Sequence, residues 1–260
     1  MLQTAGELIA VIGAIGAVVL VIGIGFVVMG YAKGAKLRRL RRSYPEREFR
    51  EAVEGSPVRV RGRVVKSQEP RWRNPVDGEP VVLARLVVRN AAKVVVDISR
   101  GQAFEIENEA GERAEVEIHG AVIEGTSVPI RLKWPPTDLL REFVTPRAHA
   151  ILDEMSRPKR GAKGHVNGLA SLCAVGTKDE VDVMGVARRD PSKRQGDGYR
   201  QASAELVLGG AADPPVVVVK GSLEAELAQS HKLALVGWVL TGGGALTVGA
   251  MIGLAALLGD

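Results

Sequence analysis

The side chains that could carry chemistry are few and scattered. Four histidines (His119, His149, His165 and His231) and one cysteine (Cys173) are spread through the 260 residues. None of them lies within five residues of another, so the short spacings with which a turn grips zinc are missing. Cys173 sits between Leu172 and Ala174. Apolar surroundings raise a thiol's pKa and deplete the nucleophilic thiolate, so packing is its expected role. Glu115 and Glu117 stand at i, i+2 with Arg113 in the same row, the pattern of an ion-pair row on the solvent face of a strand. The stretch 161–164, Gly-Ala-Lys-Gly, lies near Arg157, Lys159 and Arg160 and has the composition of a phosphate cradle. It lacks the strand before and the helix after that would aim backbone N–H groups at a ligand, so it reads as a solvated loop. No Gly-x-Ser-x-Gly elbow, Walker loop or dinucleotide fingerprint occurs, and neither a catalytic residue, a metal nor a cofactor is assigned.

One chemical cluster does have a pattern. Lys33, Lys36, Arg38, Arg39, Arg41 and Arg42 place six bases and no acid within ten residues. The element that positions them is the preceding stretch 8–31, 24 residues without a charge. As a helix it reaches about 36 Å against a hydrocarbon core of about 30 Å, so it spans with room for tilt. A second uncharged stretch, 233–258, is diluted by six glycines but is also long enough to cross. Tyr31 and Trp238 stand near the ends of the two stretches, where amphipathic rings favour the interface. A cleaved signal peptide would open with positive charge, whereas residues 1–7 hold one acid and no base.

A basic collar is retained on the cytoplasmic side, which predicts that the region between the spans faces the cytoplasm and both termini face outward. His231 and Lys232, just before the second stretch, agree. The six collar bases are the candidate site, setting topology and attracting anionic lipid. The spans hold no ionisable residue, which argues against an ion or proton path. Gly249 with Gly253, Gly13 with Ala17, and Ala10 with Ala14 have small-xxx-small spacing, favouring close helix contact within the chain or between copies in a homo-oligomer.

The charge balance locates the basic excess. All 35 bases and 28 of the 30 acids fall between residues 33 and 232, yet from Ser43 to Lys232 the count is 29 bases to 28 acids. The pI of about 9.5 therefore reports topology, and no nucleic-acid partner is expected. The aromatics available for base stacking, among them Tyr44, Phe49, Trp72, Trp134 and Tyr199, are dispersed. A single cysteine excludes an internal disulfide and fits a reducing compartment.

Between the spans the reading is strand-rich. Ser43 and Glu46 have capping-box spacing around Pro45, predicting a short juxtamembrane helix that ends at Gly55. From residue 58 the period becomes two, with Val58, Val60, Gly62 and Val64 on one face and Arg59, Arg61 and Arg63 on the other. Strands are expected over 81–88, 93–98, 104–106, 114–118, 180–187, 201–208 and 216–220, with a turn at Asp77-Gly78. Pro135 and Pro136 open a helical stretch. Thr145-Pro146 restarts it, with Ala148, Ile151, Leu152 and Met155 on one face. Residues 157–168 read as a loop, and a last helix covers 223–229. The fold class is α+β: two transmembrane helices (8–31 and 233–258), a basic collar with its helix (33–56), and a β-rich soluble domain with short helices (57–232). The 200 residues between the spans can bury one sizeable core, and no linker divides them.

Several stretches resemble the GIDE, or beside-a-membrane, domain family found in MULAN-type mitochondrial ubiquitin ligases and bacterial proteins. Residues 58–64, Val-Arg-Val-Arg-Gly-Arg-Val, resemble its opening strand. Residues 74–80, Asn-Pro-Val-Asp-Gly-Glu-Pro, resemble its proline turn. Phe104-Glu105-Ile106 with Gly111 and 114–116, Val175-Gly176-Thr177 before 181–185, and 221–224 resemble the remaining segments in order. The resemblance implies a beside-a-membrane domain and, for a bacterial-type member, a plasma-membrane location. Eukaryotic members carry a cysteine-rich RING after the second span. With one cysteine, this chain has no residue to match its ligands, so ligase activity is not carried over. Val82, Leu83 and Ala84 also replace the aromatic and cysteine positions that often follow the proline turn. The function expected is a membrane-anchored, non-enzymatic interaction or scaffold domain that docks a protein or lipid partner near the bilayer. The rivals are a ubiquitin-ligase-like or other membrane-associated enzyme component, and a transporter subunit built from oligomerised spans.

Overall fold

The computed structural model describes residues 2–67, 71–90, 93–118, 120–125, 127–132, 137–156, 168–190, 206–209 and 215–258. The chain forms an α+β structure with an apolar helix at each end and a β-rich region between them. It divides into two compact units, one built from Met1–Arg42 with Glu224–Asp260, the other from Ser43–Leu223.

The first unit is a pair of helices, α1 (Leu2–Ser43) and α4 (Leu223–Leu258). Both contain a window long and apolar enough to cross a membrane. The collar is therefore the last three turns of α1 itself and not a separate segment. Likewise the expected helix at 223–229 and the second span are one continuous helix.

The two helices run antiparallel, and their contact is set by glycines seven residues apart. A Cβ on Gly16 would lie 3.0 Å from the Thr247 side chain, on Gly23 2.6 Å from the Thr241 amide nitrogen, and on Gly30 2.7 Å from that of Ala234. From the other side, a Cβ on Gly237 would reach within 2.5 Å of Val27 N, and on Gly244 within 2.6 Å of Leu20 N. A seven-residue repeat keeps one seam facing its partner along both helices, and side-chain-free positions let the backbones touch. Leu37, seven residues beyond Gly30 in the same repeat, is buried. Thr241 and Thr247 donate their hydroxyls to Gly237 O and Gly243 O at 2.8 and 2.9 Å, so neither hydroxyl is left bare in an apolar setting. The seam does not use Gly249 and Gly253, where a Cβ would meet nothing within 4 Å, and Gly13 touches only Met251, at 3.7 Å.

The second unit begins where α1 stops. Pro45 cannot continue a helix and pushes Tyr44 toward extended backbone. The expected capped helix is replaced by an extended run whose Glu46 bridges in parallel to Arg59, followed by one 3-10 turn, Phe49–Glu51, that buries Phe49. The Glu46 carboxylate is drawn to the Arg59 guanidinium instead of capping a helix.

Strands β1 (Pro57–Ser67), β5 (Phe104–Glu107), β6 (Arg113–Val116), β11 (Leu206–Gly209) and β10 (Glu180–Arg189) close on themselves. β1 pairs antiparallel with β5 and β10, β5 with β6, and β10 with β11, while β6 and β11 run parallel. Numbered along the barrel, the order is 1-2-3-5-4-1 with one parallel pair between strands 3 and 5, the topology of a five-stranded Greek-key barrel of the OB type. β1 serves both neighbours by changing partner at Arg63, with a bulge between Val64 and Lys66. β12 (Val217–Lys220) continues along β10, and β7 (Val122–Glu124) pairs with β12.

A second sheet is inserted into this barrel. β3 (Pro80–Asn90) is flanked by β9 (Leu169–Gly176) on one side and by β2 (Trp72–Arg73) and β4 (Lys93–Gly101) on the other, with β8 (Val128–Ile130) outside β9. Short helices α2 (Asp138–Phe143) and α3 (Pro146–Ser156) contribute to its core. Thr137 caps α2 by accepting from Leu140 N, and Thr145 accepts from Ala148 N in the first turn of α3. On α3, Ala148 and Leu152 are buried and Ile151 and Met155 pack beside them, as their spacing requires.

The unit thus has two apolar clusters where one core was expected. The first fills the barrel around Val60, Val64, Phe104, Ile106, Val183 and Leu208; the second lies under α2 and α3 around Leu86, Val88, Phe143 and Leu172. β3 and β9 contribute to both, with Leu83 and Cys173 in the first and Leu86 and Leu172 in the second.

Candidate functional site

The six collar bases share one end of α1 but have different surroundings. Lys33 donates to Glu226 at 2.5 Å, and that carboxylate is almost fully buried, so this base clasps α4. The Arg38 guanidinium folds back one turn, since a Cβ on Gly34 would lie 3.2 Å from its Nη1. Lys36, Arg39, Arg41 and Arg42 are exposed. A cavity of about 180 Å³ opens beside the helix seam, lined by Tyr31, Arg38, Ser230, His231, Leu235 and Trp238 among others. Sequence reasoning singled out Tyr31, Arg38 and Trp238 separately. It missed that a helix side chain leans toward its own N-terminus, which carries the Arg38 head toward Tyr31.

The β-rich unit holds a buried charge cluster on the face of β1 opposite its valines. Arg59 and Asp182 are 3 % and 1 % exposed. Asp182 accepts from Arg61 Nε at 2.8 Å and Nη2 at 3.3 Å, lies 3.7 Å from Arg59 Nη1, and accepts the Leu223 amide at 2.8 Å. Arg59 also pairs with Glu46 and exchanges backbone hydrogen bonds with the incoming chain, Arg47 N to Arg59 O and Arg59 N to Pro45 O. Two arginines two residues apart on β1 thus fasten both the first and the last residues of the unit to one carboxylate. This is a structural clamp, because every atom of Asp182 that could act on a ligand is already engaged by the protein.

Beside it, a groove of about 370 Å³ is lined by Arg61, Gly62, Arg63, Val65, Glu107 and Glu180 among others. Gly62 allows β1 to approach Glu107, whose carbonyl would lie 3.0 Å from a Cβ. The groove has charges of both signs, with Arg63 3.7 Å from Glu180 and Glu107 2.9 Å from Arg113, so it offers no net cationic track. The Arg113 row expected from sequence forms differently: Arg113 pairs across to Glu107 and, at 3.8 Å, Glu105, and Glu117 pairs with Arg188.

Cys173 is buried in the barrel core, facing Arg85 across the β3–β9 ladder. Arg85 makes a two-pronged bond to Asp97 at 2.8 and 2.7 Å and reaches Ile123 O on β7 at 3.3 Å, fastening the inserted sheet to the larger one. The Arg85 fork holds the Asp97 carboxyl below the usual carboxylate range, against the opposing effect of burial. A depressed native pKa contributes stability that is fully present above the unfolded value near 4 and is lost as pH falls through the native value. Replacing Asp97 by asparagine should therefore cost under about 1 kcal/mol at neutral pH, because the pair is part-exposed. In urea titrations the gap to the unsubstituted chain should close below about pH 4; a gap that widened on acidification would contradict the assignment.

Among the described residues no three of His, Cys, Asp and Glu converge as a metal site. His119, His165, Trp134, Pro135, Pro136 and Tyr199 lie outside the described residues, as do Arg157, Lys159, Arg160 and the stretch 161–164. Compared with known proteins, the chain matches no family model, no curated protein and no solved structure.

Proposed function

We propose that this chain is a membrane-anchored interaction module of multi-pass topology. In this reading its two terminal helices form a bilayer-spanning hairpin, and its β-rich domain docks a protein partner on the side that carries the basic collar. The observation that carries it is the helix pair itself: two helices of spanning length, packed against each other along a glycine seam, with the bases of α1 and those of α4 at the same end. The positive-inside rule then puts the domain in the cytoplasm and both termini outside. The resemblance to the GIDE domain family supports a beside-the-membrane role without a ligase activity. A bacterial plasma membrane is the setting that resemblance favours.

The docking surface we assign is the outer edge of β4. Among the described residues β4 pairs with β3 alone, so nine residues offer a row of backbone donors and acceptors, with Val94 44 % exposed. An extended peptide adds to such an edge by main-chain hydrogen bonds. A photo-crosslinking residue placed at Val94 should trap a discrete partner in intact cells, while one at Val53, which is more exposed still, should not. Identical adducts from both positions, or none from Val94, would remove the edge as the docking site.

A further inference from the structure

We infer that the cavity beside the helix seam is a binding site for an anionic glycerophospholipid, with Arg38 and His231 holding the phosphodiester and Tyr31, Leu235 and Trp238 flanking the first carbons of an acyl chain. This inference rests on the spanning hairpin proposed above and adds a defined ligand position to it.

The cavity is built by the glycine seam. At Gly30 the α1 backbone lies against Ala234 so closely that a Cβ would come within 2.7 Å of the Ala234 nitrogen. Two backbones in contact leave a furrow beside them, of about 180 Å³ here, lined by both helices. Its lining is graded along the helix axis. At one end stand the Arg38 guanidinium, folded over Gly34, and the His231 ring. At the other stand Leu235 and Trp238, which are 65 % and 55 % exposed and so are not consumed by protein packing. Tyr31, 52 % exposed, marks the crossover. Cation, aromatic belt and aliphatic wall therefore follow in the order phosphate, glycerol ester and acyl chain follow in a lipid.

Charge partition points to the same ligand. Lys33 is neutralised by Glu226, which removes the nearest collar base from competition. Among the described residues no carboxylate pairs with Arg38, so its planar fork is available to a phosphate. Inorganic phosphate shares the headgroup chemistry but would leave the apolar half of the furrow unfilled, so the lipid is the occupant assigned.

The test uses the full chain with Trp72→Phe and Trp134→Phe, so that Trp238 alone emits. It is reconstituted in phosphatidylcholine vesicles doped with an equal fraction of brominated-acyl phosphatidylglycerol or brominated-acyl phosphatidylcholine. The anionic lipid should quench Trp238 at a local enrichment of about fivefold over the zwitterionic one, the worth of one base near an anionic surface. Arg38→Gln should abolish the preference, Arg38→Lys should retain part of it, and Arg41→Gln should leave it intact. Equal quenching by both lipids, or equal loss with Arg38→Gln and Arg41→Gln, would overturn the site while leaving the hairpin standing. Removal of the preference by millimolar inorganic phosphate would assign the site to a soluble anion and overturn the lipid. Absence of quenching by either lipid would overturn both the site and the membrane reading.

Discussion

Replacing Asp182 by alanine should lower the unfolding free energy of the β-rich unit by about 3–5 kcal/mol, as much as truncating a large core side chain. The reason is the company Asp182 keeps. Its carboxylate is 1 % exposed and receives two bonds from Arg61, the charge of Arg59 and the amide of Leu223. Removing it takes one charge partner from the Arg59 guanidinium, itself 3 % exposed, and deprives a buried amide of its acceptor. For a unit of this size the loss corresponds to a fall of about 10 °C in the melting midpoint. Asp182→Asn keeps one acceptor oxygen for Leu223 N but loses the charge and turns the oxygen that accepts from Arg61 Nε into an amide donor, so it should fall between the unsubstituted chain and Asp182→Ala. Arg63→Ala, on the same strand in a pair exposed at both ends, should cost under about 1 kcal/mol. Chemical denaturation followed by near-ultraviolet circular dichroism would check this order. Equal effects at Asp182 and Arg63 would show that the cluster is an ordinary surface network.

That cluster also shows where the sequence is legible and where it is not. The alternation of β1 is plain in residues 58–64, and the structure buries Val58, Val60 and Val64 as the period requires. The opposite face reads as solvent because it is arginine. Only the folded chain shows that the incoming segment lies over Arg59, a covering made by residues distant from β10 in sequence.

Strand β9 was missed for a related reason. A central strand that serves a core on each face need not alternate, and residues 169–176 form an apolar run around Cys173 broken only by Ser171. The barrel closure depends on long-range pairings such as β6 with β11, about ninety residues apart, which no local pattern announces. The two long apolar helices were legible because length and the absence of charge suffice to find helices of spanning length. Their seam was legible in principle: Gly16, Gly23 and Gly30 stand seven apart, as do Gly237 and Gly244. A reading tuned to four-residue spacing selected Gly249 and Gly253, which face away from the seam. In the collar, composition identified all six bases. Which of them faces a partner helix and which a cavity depends on rotation about α1 and on Glu226, a residue 193 positions later than Lys33.

The most sensitive point of the helix pair is Gly237, where a Cβ would come within 2.5 Å of the Val27 amide nitrogen. Neither backbone can yield without parting the helices, so Gly237→Leu should cost about 1–3 kcal/mol of helix association. Gly242→Leu, where a Cβ would meet nothing within 4 Å, should cost nothing by this route. The most direct measurement is disulfide formation in isolated membranes between cysteines placed at Gly13 and Met251, in a Cys173→Ser chain. A Cβ at Gly13 would lie 3.7 Å from that of Met251, inside the range a disulfide accepts. Oxidation should give a fast intramolecular bond in material that resists alkaline carbonate extraction. Gly237→Leu should slow it roughly tenfold, and Gly242→Leu should not. A chain released by carbonate, or a pair that fails to close in the unsubstituted seam, would contradict the membrane hairpin on which the proposed function stands.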